Sequence, residues 1–341
     1  MNAPLRVLLK RTSRSFHKTL WVLPSSVRHQ IGLAYLLART TDTIADTELV
    51  PVAQRLAALE ELRRFIREGK SSPSSFAELI PTQTSSPERE LLEQRGAMLA
   101  LLQSSTSPAD RKLIVELLEV IISGQELDLR RFAGGTSERI VALQSEAELD
   151  DYTYRVAGCV GEFWTKICRA HVFPRARLDD PQLLADGVRF GKGLQLVNIL
   201  RDLPADLRKG RCYLPQSKLA GAGLRPQDLL DAAAEKQLRP LYDRYLDLAE
   251  EHLAAGWAYT NSLPWGCVRV RLACAWPVLF GVRTLDRLRI ESPLDGARPI
   301  KITRTEVRGA IWRSVALYPF PALWRGQAPL PVPGFLSKLC V

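Results

Sequence analysis

The sequence predicts an all-α fold: a single-domain helical bundle around a central cavity. Apolar residues recur at helical spacing through most of the chain, and no stretch alternates with the period of two that a half-buried strand needs. There is also no βαβ rhythm and no repeat of 30 to 50 residues that would suggest a solenoid. At 341 residues and 46% hydrophobic content the chain can bury a large core, and nothing in its composition marks an internal boundary. The expected organisation is one domain over 1–341, with a helical core over 1–317 and a proline-rich tail over 318–341.

Taken in order, residues 4–11 read as a short basic helix. Thr12 and Ser13 offer caps for a second run from Phe16 to Leu23, which Pro24 and Ser25 end. From 26 to 47 the residues Ile31, Leu33, Ala34, Leu37 and Ala38 mark a helix. On it Tyr35, Arg39, Asp42 and Asp46 fall at i, i+4, i+7 and i+11, so a phenol, a guanidinium and two carboxylates share one stripe. Another amphipathic helix covers 51–69, and the Ser- and Pro-rich run 70–88 reads as a surface loop.

Helices resume over 88–103 and from 107 or 108 to 132. The second contains S-G-Q-E-L-D-L at 123–129, where Gly124 marks a close helix approach or a ligand against the backbone. A long helix over 146–172 carries Y-T-Y-R-V-A-G-C-V-G at 152–161. Its small residues Ala157, Gly158 and Gly161 thin one face, either for a neighbouring helix or for a bulky apolar ligand. The helix over 180–207 repeats the acidic stripe, with Gln195, Asn198, Asp202 and Asp206 at i, i+3, i+7 and i+11 and Arg201 beside it. The basic loop R-K-G-R-C-Y-L-P at 208–215 follows at once, suited to capping phosphate charge. Later helices are expected over 226–256, 266–290 and 303–317, the middle one kinked at Pro277, and the tail, with five prolines, reads as an extended wrap.

Composition narrows the chemistry. The net charge of +10 is too diffuse for a nucleic-acid arm, although residues 266–314 alone carry an excess of six positive charges, which suits an anionic ligand, an acidic membrane surface or simply solvent. Six cysteines without a C-x-x-C spacing argue against a disulfide framework or a zinc site and fit a reducing cytoplasm. His17, His29, His171 and His252 are isolated from one another and read as surface or satisfied core residues. The amino terminus shows no signal-peptide pattern. The longest apolar stretch, near 272–282, is about half what a bilayer span needs.

The chemistry concentrates in D-T-I-A-D at 42–46 and D-L-P-A-D at 202–206. Two aspartates four apart on a helix present both carboxylates to one ion, and Mg²⁺ is commonly held by one or two carboxylates plus the phosphates of a substrate. Two diphosphates bring about −6 charge beside four aspartates, a load that divalent ions and Arg or Lys must neutralise. Departure of a metal-bound diphosphate from an allylic carbon leaves a carbocation. Tyr35, Tyr152, Tyr154, Phe16 and Phe163 offer π surfaces for it.

T-S-R-S-F at 12–16, Y-L-L-A-R-T-T-D-T-I-A-D at 35–46, Y-x-x-x-V-A-G-x-V-G from Tyr152 and Q-L-V-N-I-L-R-D-L-P-A-D at 195–206 stand in a familiar order. By these blocks the chain resembles the squalene and phytoene synthases, and is most similar to the squalene synthases through C-A-W-P-V-L-F-G-V-R-T-L at 274–285 and K-I at 301–302. The resemblance implies the all-α isoprenoid-synthase fold and head-to-head joining of two farnesyl diphosphates to presqualene diphosphate. Reduction by NADPH to squalene would follow. It also implies roles: Asp42, Asp46, Asp202 and Asp206 for Mg²⁺; Ser13, Arg14, Phe16, Arg39, Gln195, Asn198 and Tyr213 for substrate; Asn198, Arg201 and Lys301 for NADPH; and Tyr152, Tyr35 and Arg39 for catalysis.

Three departures accompany the match. Pro204 lies between the second pair of aspartates and is expected to disturb the helix there, with Asp206 at risk of turning away. Ala273 stands where animal enzymes present an aromatic. The carboxy-terminal anchor of eukaryotic members has no counterpart, which implies a bacterial-type enzyme, cytoplasmic or peripheral to the membrane; a monomer is expected. Same-fold alternatives form phytoene, dehydrosqualene or hydroxysqualene without NADPH. From other classes come a non-catalytic helical protein that binds membranes or acidic partners through its basic face, and a helical hydrolase or terpene cyclase.

Overall fold

The computed structural model of the protein describes residues 3–13, 16–69, 76, 78–296, 300–328 and 330. The expected all-α class is the one found. Among the described residues the β-structure is a two-residue parallel pair, β1 (Val141–Ala142) and β2 (Arg211–Cys212). The chain divides into two compact units: Met1–Ala133 with Phe163–Pro174, and Gly134–Glu162 with Arg175–Val341.

The first unit runs α1 (Ala3–Thr12), α2 (Phe16–Val22), α3 (Ser25–Ala45), α4 (Val52–Glu68), α5 (Leu79–Thr82), α6 (Ser86–Glu93), α7 (Arg95–Ser104) and α8 (Pro108–Arg131). Helix α3 is its axis. It buries Val27, Ile31, Leu33, Leu37 and Ile44, and α4, α6, α7 and α8 all pack on it. Its end is fixed by Arg55, a buried guanidinium that donates to the Ala45 carbonyl at 2.7 Å. Gly69, at φ +70°, closes α4 in the left-handed region.

Three expectations change here. Thr12 and Ser13 do not cap α2, because their hydroxyls donate backwards to the Leu8 and Leu9 carbonyls of α1. The run 70–88 is not all loop, since α5 and the first turn of α6 fall within it; residues 70–75 and 77 lie outside the described residues. The helix expected over 88–103 is two helices, meeting at Gln94.

The second unit holds α9 (Glu146–Thr153), α11 (Asp180–Arg208), α12 (Gln216–Gly221), α13 (Glu235–Ser262), α14 (Val268–Ile290), α15 (Arg304–Leu317) and α16 (Pro321–Arg325), with α10 (Cys159–His171) beginning in it. The long helix expected over 146–172 is interrupted by a π-helical turn, Tyr154–Gly158, between α9 and α10. The room made by its small residues goes to a helix. A Cβ on Gly161 would lie 1.8 Å from the Gly187 carbonyl oxygen, and one on Gly191 would lie 2.1 Å from that of Ala157. Two backbones therefore touch, and only glycine permits it.

Helix α11 packs also on α13 and α14. The segment expected as helix from 226 begins as two 3₁₀ turns, and α13 proper starts at Glu235. The tail is not simply an extended wrap: α16 forms within it and Trp324 is fully buried, while residues 331–341 lie outside the described residues. The anchor is Arg271, 1% exposed, whose guanidinium lies 4.7 Å from the Trp265 ring and 5.5 Å from that of Trp324. It donates to the Leu263 carbonyl at 2.6 Å.

Candidate active site

The first acidic stripe is carried by α3. Tyr35 stacks on Phe16 with ring centroids 5.4 Å apart, and its hydroxyl donates to the Thr12 carbonyl at 3.3 Å. One turn on, Arg39 donates to Glu88 on α6 at 2.9 Å and lies 3.7 Å from Asp42. From α8, the Gln125 amide donates to Asp42 at 2.6 Å. Asp46 is exposed at the C-cap of α3.

Asp42 remains 38% exposed on its open side, yet its surroundings disfavour charge. Burial raises its carboxyl from 3.8 to about 6, with the charge of Asp46 adding to the rise against the pull of Arg39 and Gln125. This stripe is poor in compensating charge. It also sits at the carboxy-terminal end of its helix, where the macrodipole favours a cation.

The second stripe is on α11, where Gln195, Asn198, Asp202 and Asp206 are all half-buried. The Asn198 amide donates to Gln195 at 3.4 Å. Asp202 is held by a fork from its neighbour: Arg201 donates to one carboxylate oxygen at 2.8 Å and to the other at 2.5 Å. Pro204 does not break the helix. α11 runs through it to Arg208, so Asp202 and Asp206 keep their one-face spacing, again in the last turns of a helix.

The elements packed on α11 in the same unit carry two tyrosines. Tyr152 on α9 and Tyr213, just past β2, are nearly buried and stack with centroids 4.6 Å apart. The β1–β2 ladder sets Tyr213 there, with Val141 donating to Gly210 and Leu143 to Cys212. Gly210, at φ +76°, turns the basic loop, and a Cβ there would meet the Thr136 amide nitrogen at 2.2 Å.

Other expected residues fall less neatly. Ser13 is buried with its hydroxyl spent on the Leu9 carbonyl, and Arg14 lies outside the described residues. Arg201 forks onto Asp202, and Lys301 is exposed in the segment before α15. The Tyr154 hydroxyl donates to Glu162 at 3.1 Å. Burial pushes Cys159 and Cys212 up to about 12, and burial with the nearby Arg189 charge lowers His252 to about 4.

Each stripe presents hard oxygen donors, two carboxylates at a time. Among the described residues no three His, Cys, Asp or Glu side chains group as a metal site. A cation held by either pair therefore completes its shell from water or from a ligand.

The sequence profile described as squalene/phytoene synthase matches residues 9–306, a span that contains both stripes. The chain belongs to that family. Among curated relatives, the bifunctional lycopene cyclase/phytoene synthase of Gibberella fujikuroi is 30% identical over 265 residues, 75% of this chain and 42% of its own length. The squalene synthase of Bos taurus is 28% identical over 213 residues, 61% of this chain and 45% of its own. The chain thus spans under half the length of these relatives. Among solved structures, the complex of TcSQS with the ligand E5700 superposes with a TM-score of 0.76 at 19% identity, covering 98% of this chain and 97% of that one, which shows the shared fold.

Reasoning from sequence missed two members of the first stripe. Gln125 lies inside the S-G-Q-E-L-D-L block, yet only Gly124 drew attention. A polar, uncharged side chain between buried Gly124 and Glu126 on α8 was the available signal. Glu88 gave none, standing where the expected loop and the expected helix meet.

Proposed function

We propose that the protein is a Mg²⁺-dependent prenyltransferase that joins two farnesyl diphosphates head to head to presqualene diphosphate, and that it then reduces this with NADPH to squalene. The observation that carries the reading is the pair of aspartate stripes at 42–46 and 202–206, each intact on its helix and both inside the family match.

Asp42 and Asp46, and Asp202 and Asp206, would hold the magnesium ions, which when bound neutralise diphosphate and make it a better leaving group. The residues do the rest. Gln125 orients the Asp42 carboxylate by its 2.6 Å hydrogen bond, and Arg39 offers a guanidinium to a diphosphate beside it. Gln195 and Asn198 extend the second stripe with neutral donors. Tyr152 takes the role of moving a proton in the condensation, its ring held by Tyr213. Tyr35 presents its ring to cationic carbon, backed by Phe16.

Of the residues that would hold NADPH, Arg201 is forked onto Asp202, which leaves Asn198 and exposed Lys301 as the side chains to meet it first. Incubation with farnesyl diphosphate and Mg²⁺, with and without NADPH, followed by mass spectrometry, tests both halves. Squalene appearing only with NADPH supports the full reading. An unchanged C30 product makes this a synthase of dehydrosqualene or hydroxysqualene, and turnover of a C20 diphosphate instead makes it a phytoene synthase.

The reading places the enzyme on the cytoplasmic side, touching an anionic membrane. Among the described residues no helix is long and apolar enough to cross one. On α15, however, Trp312 is exposed along with Arg308 and Arg313, and Phe320, the N-cap of α16, and Leu323 on α16 are exposed too, an apolar and cationic mixture suited to anionic lipid headgroups. Sedimentation with phosphatidylglycerol vesicles but not phosphatidylcholine vesicles is the expected result.

A further inference from the structure

Pro204 sits midway between Asp202 and Asp206 and has no amide hydrogen, so the carbonyl of Leu200, four residues earlier, loses its helical partner. Leu200 is 1% exposed, so water cannot replace that hydrogen bond cheaply. The structure supplies a substitute. The hydroxyl of Tyr242, on α13, donates to the Leu200 oxygen at 3.0 Å.

Tyr242 is fully buried, and burial pushes its phenol well above the ordinary value, which keeps it a donor throughout the working pH range. Arg239 lies over its ring, 5.8 Å from the centroid, and is itself paired with Asp243 at 2.9 Å. The α11–α13 contact that brings the hydroxyl in is close: a Cβ on Gly193 would lie 2.9 Å from His252, and one on Gly256 would lie 2.6 Å from Phe190.

We propose that Tyr242 is a positioning residue for the second acidic stripe: its hydroxyl stands in for the amide that Pro204 lacks and so holds Asp202 and Asp206 in register for a cation. The mechanism is local. With the Leu200 carbonyl unsatisfied, the turn that contains the proline opens, and the two carboxylates it separates lose their common face. The proposal rests on the assignment of Asp202 and Asp206 as metal ligands, but the hydrogen-bond substitution at its root is testable without that assignment.

A double-mutant cycle does both. Tyr242→Phe keeps the ring and removes the donor, while Pro204→Ala restores a backbone amide to Leu200 and makes the donor redundant. Two quantities are measured on the wild type, both single variants and the double variant: the urea midpoint, and Mn²⁺ affinity in the presence of inorganic pyrophosphate by calorimetry. Tyr242→Phe alone is expected to lower the midpoint and weaken Mn²⁺ binding about 10-fold, and in the Pro204→Ala background to leave the midpoint unchanged and the Mn²⁺ affinity within about twofold.

Additive effects in the two backgrounds would reduce Tyr242 to ordinary packing and overturn the proposal. Coupled midpoints with Mn²⁺ affinity equal in all four proteins would overturn the positioning role while leaving the hydrogen-bond substitution. Failure of the wild type to bind Mn²⁺ with pyrophosphate would overturn the proposal together with the ligand assignment, and coupled midpoints would still be seen.

Discussion

The two acidic stripes share a spacing and a place at the end of a helix, but they are neutralised differently. Asp42 has a neutral amide at 2.6 Å and an arginine at 3.7 Å that is shared with Glu88, so its carboxyl is pushed up to about 6. Asp202 has its own arginine, forked onto both oxygens from the adjacent residue. The same D-x-x-x-D pattern thus gives one under-compensated site that would gain by taking up a cation, and one where a cation would compete with a built-in guanidinium. What a motif does with charge is decided by the residues around it.

The contrast can be broken at several levels. The largest effect is expected from the seat of the second stripe: Gly161→Ala drives a methyl into the Gly187 carbonyl and should destabilise the protein by about 3 kcal/mol, read as a lowered urea midpoint. An undiminished midpoint would show that α11 is not held by backbone contact. Next come the carboxylates. Asp42→Ala and Asp202→Ala should each lower C30 product formation about 100-fold or more. Full activity in either variant would remove that stripe from the chemistry.

Gln125→Ala sharpens the comparison, because the second stripe has no amide donating to its leading carboxylate among the described contacts. It should raise the half-saturating Mg²⁺ concentration about 10-fold while changing saturated turnover little. The smallest effect concerns pH. Since the folded carboxyl of Asp42 lies at about 6 against 3.8 ordinarily, the folded state holds the extra proton between these values. Stability of the metal-free protein therefore falls as pH rises through that window, and the cost is complete above it. Asp42→Asn should accordingly raise Tm at pH 7.5 by about 1–2 °C and lose this advantage near pH 4, whereas Asp202→Asn, which breaks a fork, should bring no gain.

Much of this was legible from residue order. Helical period gave the all-α class, and the i, i+4, i+7, i+11 placement of Tyr35, Arg39, Asp42 and Asp46 needs only that the helix hold through 25–45 and that its C-cap, Asp46, keep a right-handed turn, which they do. Boundaries were read less well where tertiary contacts override local preference. The π turn at Tyr154–Gly158 and the break at Gln94 carry no sequence signal of their own, and Trp324 pulls a helix out of a tail whose prolines suggested extension.

Local spacing by itself determined which side chains share a face, because a helix repeats every 3.6 residues whatever surrounds it. Only the tertiary structure decided what those faces meet: a helix rather than a ligand against Gly161, Gln125 on Asp42, and a phenol from forty residues away completing the turn that Pro204 leaves unbonded. Such contacts join residues far apart in the chain, and no local period encodes them.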